Sequence, residues 1–168
     1  VGDSDGDGVC DTDDVCLGDD AAGDCDGDGT CDDLDTTSPC GEAALSFADA
    51  TTTSIDLNYV SDVDLYGFQF DYSGVTLTGV ESNLEATSYG ATTVVGFSWG
   101  GHLSSGSGTL VTLHFEETAS GSEISASDVT IAGAAGVLIY ATGPENADVP
   151  ACGDSDGDNV CDAIDVCL

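Results

Sequence analysis

The stretches VDLYGFQFDYSGVTLTGVE, residues 63–81, and TTVVGFSWGGHLSSGSGTLVTLHFEE, residues 92–117, decide the fold. Apolar and polar side chains alternate within them in short runs, and the runs end at glycine, serine, threonine, asparagine or aspartate. Successive side chains of a strand point to opposite faces of a sheet, so this alternation is typical of half-buried antiparallel strands. No segment has a convincing helical period. The sequence therefore predicts an all-β domain.

Eight strands are predicted between Gly41 and Pro150. They cover residues 44–49, 54–60, 63–72, 75–82, 92–99, 108–117, 123–131 and 137–141. Strands of this length and spacing predict an antiparallel β-sandwich of the jelly-roll kind. Four sets of alternating residues are expected to form its core: Ile55, Leu57 and Tyr59; Tyr66, Phe68 and Phe70; Val95, Phe97 and Trp99; and Val111, Leu113 and Phe115. Trp99 could also stack on sugar rings, but the alternation favours a core position.

Three acidic segments outside this domain repeat one formula. They read DSDGDGVCDTDDVC at 3–16, DCDGDGTCDDLD at 24–35 and DSDGDNVCDAIDVC at 154–167. Each places carboxylates at positions 1, 3 and 5, a residue that tolerates positive φ at 6, a backbone carbonyl at 7, and further carboxylates at 9 and 12. Oxygen ligands at this spacing can wrap a hard cation such as Ca²⁺. The formula predicts irregular calcium-binding loops holding about three Ca²⁺ ions, one per loop.

The predicted ligands are five aspartates and one backbone carbonyl in each loop. The first set is Asp3, Asp5, Asp7, Asp11 and Asp14 with the carbonyl of Val9; the second is Asp24, Asp26, Asp28, Asp32 and Asp35 with that of Thr30; the third is Asp154, Asp156, Asp158, Asp162 and Asp165 with that of Val160. Aspartate at position 12 is shorter than the usual glutamate, so we expect weak, extracellular-type affinity, with Kd about 10⁻⁴–10⁻³ M.

The charge balance of the chain is extreme. It carries 33 Asp and Glu residues and no Lys or Arg, for a net charge of −33. Self-repulsion opposes compaction, so cations must come from solution. The charge excludes nucleic acid as a partner, and the chain has no apolar run that would insert into a membrane. Three explanations for the missing Lys and Arg stay open: resistance to trypsin-like proteases, a high-salt habitat, or trimming of a longer chain by such a protease.

Eight cysteines predict an oxidising, extracellular or cell-surface location. The chain begins at Val1 and shows no signal sequence, so we expect a mature or excised piece. Local pairing is preferred, with Cys10 bonded to Cys16 and Cys161 to Cys167, Cys25 to a nearby partner, and Cys40 to Cys152; eight cysteines nevertheless allow 105 pairings. Carboxylates surround the cysteines in the loops, which favours calcium over zinc.

Composition divides the chain into three parts: residues 1–41 with two calcium loops, residues 42–150 with the sandwich, and residues 151–168 with the third loop. Gly2–Leu17 and Gly153–Leu168 nearly coincide, at an offset of 151 residues. The chain is therefore predicted to be one period of an array, with copies of itself as head-to-tail partners. The alternative is that two calcium spacers simply flank one domain.

The sandwich region resembles the cohesin-like and carbohydrate-binding-module-like sandwiches of bacterial and archaeal surface proteins. The resemblance rests on GFQF at 67–70, VVGFS at 94–98, the strand SGTLVTLHF at 107–115 and EISASDVTIAG at 123–133. It implies a module that binds a polysaccharide or a protein. The loops resemble thrombospondin type 3 repeats; Asn159 replaces the glycine of that pattern, and Cys40 follows Asp35 later than the pattern requires.

Catalysis is not expected, because the sequence has no nucleophile elbow, HExxH motif or glycine-rich phosphate loop. His102 is expected in a solvated turn. The sequence predicts a calcium-dependent extracellular structural protein, the repeating unit of a fibre or surface adhesin array, in which rigid disulfide-linked loops join β-sandwiches. The alternative is an adhesion module that binds carbohydrate or protein.

Overall fold

The computed structural model describes residues 16–18, 29–31, 34 and 41–165. Within this part of the chain the secondary structure is ten β-strands and one turn of 3₁₀ helix. The strands are β1 (Glu42–Ala48), β2 (Ser54–Ser61), β3 (Gly67–Ser73), β4 (Leu77–Glu81), β5 (Ala86–Tyr89), β6 (Thr93–Phe97), β7 (Gly106–Phe115), β8 (Ser122–Ala132), β9 (Leu138–Thr142) and β10 (Ala147–Val149), and the 3₁₀ turn is Ala134–Gly136. The predicted all-β fold is confirmed.

The strands are hydrogen-bonded in the order β4-β7-β2-β1-β9-β8-β3-β6-β5, and β10 pairs with β8. Strand β9 joins the two layers, because it pairs in parallel with β1 and antiparallel with β8. One layer therefore contains β4, β7, β2 and β1, and the other contains β8, β3, β6 and β5. The remaining pairings of the described strands are antiparallel, as the sequence predicts.

The core lies between these layers. Three of the four predicted core sets are confirmed, although Tyr66 is only half-buried just before β3. The largest fully buried side chains are Phe70, Ile55, Leu57, Leu65, Leu110, Leu113, Ile124 and Ile131. An apolar core of this size is enough to stabilise the sandwich.

The fourth predicted core set, Val95, Phe97 and Trp99, is wrong. In β6 the inward residues are Val94 and Gly96, whereas Phe97 and Trp99 are 42% and 78% exposed. The segment VVGFSW has apolar residues on both faces, so its pattern does not determine which face is buried. The sequence also misses β5 and β10, which are short and lack an apolar alternation.

The chain enters and leaves the sandwich at opposite ends. Gly41 directly precedes β1. Ala43 of β1 is paired with Ser61 of β2, and Ser61 is paired with Gly106 of β7, so Gly41 lies near the start of β7. The backbone N–H of Cys152 donates to the carbonyl of Thr118, just beyond the other end of β7. A ten-residue strand such as β7 is about 30 Å long. We call these the Gly41 end and the Cys152 end.

Candidate metal loop and binding surface

The third acidic loop folds as a compact turn at the Cys152 end. One carboxylate oxygen from each of Asp154, Asp156 and Asp158 lies within 4.8 Å of the others. These are positions 1, 3 and 5 of the predicted calcium motif. Three convergent carboxylates are the donor type that Ca²⁺ prefers, so the chemistry of these residues fits the ion.

The local sequence holds these carboxylates in place. Gly157 and Asn159 adopt positive φ of 76° and 70°, which glycine and asparagine tolerate best. The two oxygens of Asp154 accept the backbone N–H groups of Gly157 at 2.8 Å and Asn159 at 3.1 Å. Asp158 accepts the N–H of Val160 at 2.8 Å. The loop conformation is thus built by side chain to backbone hydrogen bonds within the motif.

The other predicted ligands of this loop are placed differently. Asp162 turns to Ser155, whose backbone N–H and hydroxyl each donate to its carboxylate at 2.8 Å. Asp165 lies in a short turn, where its N–H donates to the carbonyl of Cys161 at 3.0 Å. A bound ion would have to take its remaining ligands from a rearranged Asp162, the Val160 carbonyl, Asp165 or water.

The first and second loops are described only in part. Their predicted ligands Asp3, Asp5, Asp7, Val9, Asp11, Asp14, Asp24, Asp26, Asp28, Asp32 and Asp35 lie outside the described residues. Thr30 is described, and it forms an isolated parallel bridge with Leu17. Gly29, at position 6 of the second loop, has φ of 86°, as the motif predicts. Calcium at these loops stays a prediction.

The disulfides differ from the preferred pairing. The structure joins Cys16 to Cys31 and Cys152 to Cys161. The predicted bonds of Cys16 with Cys10, Cys161 with Cys167, and Cys152 with Cys40 are therefore wrong. In both observed bonds the cysteine at position 8 of a loop is buried and pairs with a cysteine that precedes its own loop. Proximity in sequence does not show which segments meet in space.

The bond between Cys152 and Cys161 attaches the third loop to the sandwich. Cys152 is itself hydrogen-bonded to Thr118, and the N–H of Asp162 donates to the carbonyl of Gly153 at 2.8 Å. Glu117 lies beside the two sulfurs. Both sulfurs belong to a disulfide, so they are not thiolate ligands for zinc. The loop is held against the Cys152 end through covalent and backbone contacts.

A pair of exposed aromatic side chains lies where β6 ends. The rings of Phe97 and Trp99 meet edge to face, with centroids 4.9 Å apart. The N–H of Trp99 donates to the Glu85 carboxylate at 2.8 Å, which fixes the backbone under the indole. We call these two side chains the aromatic pair. The alternation in the sequence predicts a core position for both residues, so it does not predict this surface feature.

The outer face beside the aromatic pair is mostly polar, with Val95 half-buried within it. Phe97 is paired with Gly67 of β3 and with Ala86 of β5, so its ring stands at the edge of the outer face of β8-β3-β6-β5. Further along this face Gln69 is exposed, and the hydroxyl of Thr93 donates to Asp71 at 2.5 Å. The surface is an extended sheet with a single aromatic anchor.

The two histidines contact carboxylates. His102 Nε2 lies 3.3 Å from Asp64 Oδ2, and its ring packs against Tyr66 with centroids 5.3 Å apart. His114 Nε2 lies 3.8 Å from Glu81 Oε1. In the hydrogen bonds described for residues 41–165, neither histidine has a serine hydroxyl or a thiol as a partner. His102 lies on the surface, as expected. No helix among the described residues is long and apolar enough to cross a membrane.

Solved structures with the same architecture are cohesin modules. A non-cellulosomal cohesin from the hyperthermophilic archaeon Archaeoglobus fulgidus matches 67% of this chain and 92% of its own, with 12% identity and a TM-score of 0.51. The sandwich is cohesin-like. A chain of the CaDoc0917–CaCohA2 complex covers 65% of this chain and 99% of its own, with 13% identity and a TM-score of 0.50. A type I cohesin–dockerin complex from Clostridium thermocellum gives 14% identity and a TM-score of 0.48.

Comparisons at the level of sequence add nothing to this likeness. No family model matches the chain, and no curated protein matches it. At 11–14% identity the likeness to cohesins shows the fold alone.

Proposed function

We propose that the protein is a non-catalytic extracellular binding module, and that its cohesin-like sandwich holds a protein partner through the aromatic pair. The observation that carries this proposal is the 78% exposure of Trp99, the only tryptophan in the chain. Tryptophan is enriched among the residues that contribute most to protein–protein binding, where it fills a pocket on the partner.

The aromatic pair has the organisation of an anchor. The edge of one ring faces the other, and Glu85 holds the Trp99 backbone, and both contacts lower the conformational freedom that binding would remove. A polar sheet beside the pair resembles the rim that surrounds such anchors. One structural neighbour was solved within a two-protein complex, CaDoc0917–CaCohA2, which agrees with a protein partner for this fold.

The disulfides support an extracellular location, since such bonds persist in oxidising compartments. The two histidines contact the carboxylates of Asp64 and Glu81, and no catalytic role is proposed for them. The aromatic pair and its polar surroundings are instead suited to hold another molecule without changing it.

A comparison of two single variants tests this proposal. Wild-type chain, Trp99→Ala and Leu138→Ala are immobilised and exposed to secreted proteins from the native source, and the retained proteins are identified by mass spectrometry. Leu138 is the matched control, because it is an exposed apolar side chain, 58% accessible, that does not belong to the aromatic pair. The purified partner is then titrated against all three. We expect Trp99→Ala to weaken its binding at least tenfold, by about 1.4 kcal/mol or more, and Leu138→Ala to leave it unchanged.

Two outcomes would overturn the protein-binding proposal. Equal binding of a purified partner to wild type and Trp99→Ala would exclude the aromatic pair from the interface. Retention of a polysaccharide, lost in Trp99→Ala, with no protein partner would favour the carbohydrate-binding alternative instead. A glycan array read with the same three proteins reports that second outcome directly.

We propose a second role for the acidic segments, as calcium-dependent joints between successive copies arranged head to tail. Two observations favour it. The carboxylates of Asp154, Asp156 and Asp158 converge in the third loop, and the chain enters and leaves the sandwich at opposite ends. Joints at opposite ends are head-to-tail contacts, which produce an open array when the rotation between copies does not close a ring. Such an array would be an extracellular fibre or a surface adhesin assembly.

Calcium titration tests the joint. Isothermal titration of the chelator-treated full chain is expected to show about three sites with Kd of about 10⁻⁴–10⁻³ M. The variant Asp154→Asn/Asp158→Asn is expected to lose one site, whereas Asp128→Asn/Asp148→Asn, on β8 and β10, is expected to keep all of them. Electron microscopy of native assemblies with and without EDTA tests the array. An unchanged site count in the loop variant, or arrays unaffected by EDTA, would contradict this role.

A further inference from the structure

Two neighbouring cavities lie at the Gly41 end, with volumes of about 260 Å³ and about 530 Å³, and Asp62 lines both of them. We call the two cavities together the furrow. The smaller cavity lies over β1, β2 and β9, and the larger one extends past the start of β3 to the 3₁₀ turn between β8 and β9. Neither cavity is lined by Phe97 or Trp99, so the furrow is a different feature from the aromatic pair.

The floor of the furrow is largely apolar. In the smaller cavity it is formed by Ala44, Val60 and Tyr140, of which Val60 is 60% exposed. In the larger cavity it includes Val63, Val137 and Ile139, together with the ring of Tyr66. Apolar surface of this kind is available to the aliphatic part of a side chain from another molecule.

The rim of the furrow is acidic, and two of its three carboxylates accept backbone hydrogen bonds. Asp62 Oδ1 accepts the N–H of Glu42 at 2.8 Å, and Asp64 Oδ1 accepts the N–H of Ser105 at 2.8 Å. The second oxygen of Asp64 faces His102 at 3.3 Å. The three carboxylates of Glu42, Asp62 and Asp64 therefore follow the furrow along its length.

The chain contains no Lys or Arg that could neutralise this rim. A second copy of the chain has the same net charge of −33 and cannot supply such a residue either. The positive charge therefore has to come from outside these 168 residues. Lys and Arg combine an aliphatic stem with a cationic head, so their stems match the floor of the furrow and their heads match its rim. The Arg guanidinium can also stack on the tyrosine rings.

We propose that the furrow binds a basic peptide segment of a partner protein, which lays Lys or Arg side chains along the apolar floor and pairs them with Asp62, Asp64 and Glu42. Charge complementarity and the shape of the furrow support this occupant. Ca²⁺ is a poorer match for this site, because it needs six to eight converging oxygen ligands and the rim carboxylates are spread along two cavities. The site is independent of the binding proposed for the aromatic pair.

Two synthetic peptides test the proposal with the full chain in saturating calcium. One is acetyl-Gly-Arg-Leu-Lys-Gly-amide, and the other carries Gln in place of both basic residues. Binding is measured by NMR titration against wild type, Asp62→Asn/Asp64→Asn and the charge-matched control Glu145→Gln/Asp148→Asn, whose residues lie near β10 at the Cys152 end. Asparagine keeps the Oδ1 acceptor of each rim residue, so the fold is retained, and thermal denaturation checks this.

We expect the basic peptide to bind the wild type and the control within twofold of each other, and to bind the rim variant about five- to tenfold more weakly. Tyr140→Ala, which shortens an exposed side chain on the floor, is also expected to weaken binding. Equal losses in the rim variant and the control would mean diffuse attraction to an acidic surface and would overturn the proposal. So would equal binding of the Gln peptide, or competition by Ca²⁺ at the rim.

The same variants separate this site from the proposed function. Trp99→Ala should retain the basic peptide, and Asp62→Asn/Asp64→Asn should retain a partner that is held by the aromatic pair. Loss of the basic peptide in Trp99→Ala as well would mean that there is one continuous surface, and the proposal of a separate furrow site would fail.

Discussion

The ring of Phe68 fills the space above Gly96 on the neighbouring strand. A β-carbon at Gly96 would lie 2.5 Å from Phe68 Cε1 and 2.6 Å from its Cζ. Phe68 is buried on the inner face of β3, and Gly96 is the residue of β6 paired with it. This contact places Gly96 inward, and the alternation of the strand then places Phe97 outward. The aromatic pair is exposed because this glycine is in the core.

Gly96→Ala should destabilise the sandwich. The added methyl group would overlap the ring of Phe68, and overpacking of a core usually costs about 1–3 kcal/mol. Gly79→Ala in β4 is the control, because its nearest neighbours would be ordinary contacts at 3.8 Å from His114. Chemical denaturation in calcium measures the free energy of unfolding of both variants. A Gly96→Ala variant as stable as wild type would show that Phe68 does not determine the orientation of β6.

Trp99→Ala should have little effect on stability. Its side chain is mostly exposed, and substitutions at such sites usually change the free energy of unfolding by no more than about 0.5 kcal/mol. Phe70→Ala removes a fully buried ring and should cost about 3–5 kcal/mol. Thermal or chemical denaturation compares the two. If Trp99→Ala lowered the free energy of unfolding by more than about 2 kcal/mol, Trp99 would have to be a core residue.

Tyr59→Phe should change the response of the protein to alkali. Burial of the phenol, together with the nearby Asp64 carboxylate, raises the pKa of Tyr59 above its ordinary value of 10.0. The folded state thus favours the neutral hydroxyl, which donates to the carbonyl of Ser104 at 2.8 Å. As the pH rises past 10.0 the unfolded chain ionises first, so stability is present below that pH and is lost as it rises toward the raised pKa.

The phenylalanine variant lacks this ionisation. It should be less stable than wild type by about 1 kcal/mol at neutral pH, for the lost hydrogen bond, and should lose stability less steeply above pH 10. Tyr140→Phe is the control, because its ring is on the surface. Denaturation curves at several pH values measure both effects. Parallel losses in wild type and Tyr59→Phe would contradict the assignment to Tyr59, leaving Tyr72, whose pKa burial also raises, as the other buried phenol.

Peptide mapping should recover the disulfides seen in the structure. Trypsin has no site in this chain, so an endoproteinase that cleaves before aspartate is the suitable enzyme. Without reduction it should release residues 148–153 joined to residues 158–161 through Cys152 and Cys161. Reduction should separate the two fragments in mass spectrometry. Fragments that join Cys152 to Cys40, or Cys161 to Cys167, would support local and end-clasping pairings instead.

The sequence predicts the sandwich well where one face of a strand is clearly apolar. In β2 and β7 the alternation of Ile55, Leu57 and Tyr59, and of Val111, Leu113 and Phe115, identifies the buried face because the opposite face is polar. In β6 both faces are apolar, and a ring from another strand determines which one is buried. The edge strand β5 has no apolar alternation, because no second layer covers most of its side chains.

The candidate sites were predictable to different degrees. Asp154, Asp156 and Asp158 lie close together in one short loop, so a sequence motif can predict that their carboxylates converge. The exposure of the aromatic pair depends on which face of β6 is turned toward the core. The furrow is lined by residues from strands that are far apart in the chain. The bond of Cys152 with Cys161 likewise depends on where the third loop lies against the sandwich. These features follow from tertiary packing, which residue patterns along the chain do not encode.

The central claim, that the sandwich binds a protein through the aromatic pair, is tested most directly by fluorine NMR of the full chain labelled with 5-fluorotryptophan. Trp99 is the only tryptophan, so the spectrum has a single resonance, which comes from the aromatic pair. Addition of the purified, unlabelled partner should shift or broaden that resonance in proportion to binding, because the indole becomes buried at the interface. A partner that binds the labelled chain and leaves the Trp99 resonance unchanged would contradict the account.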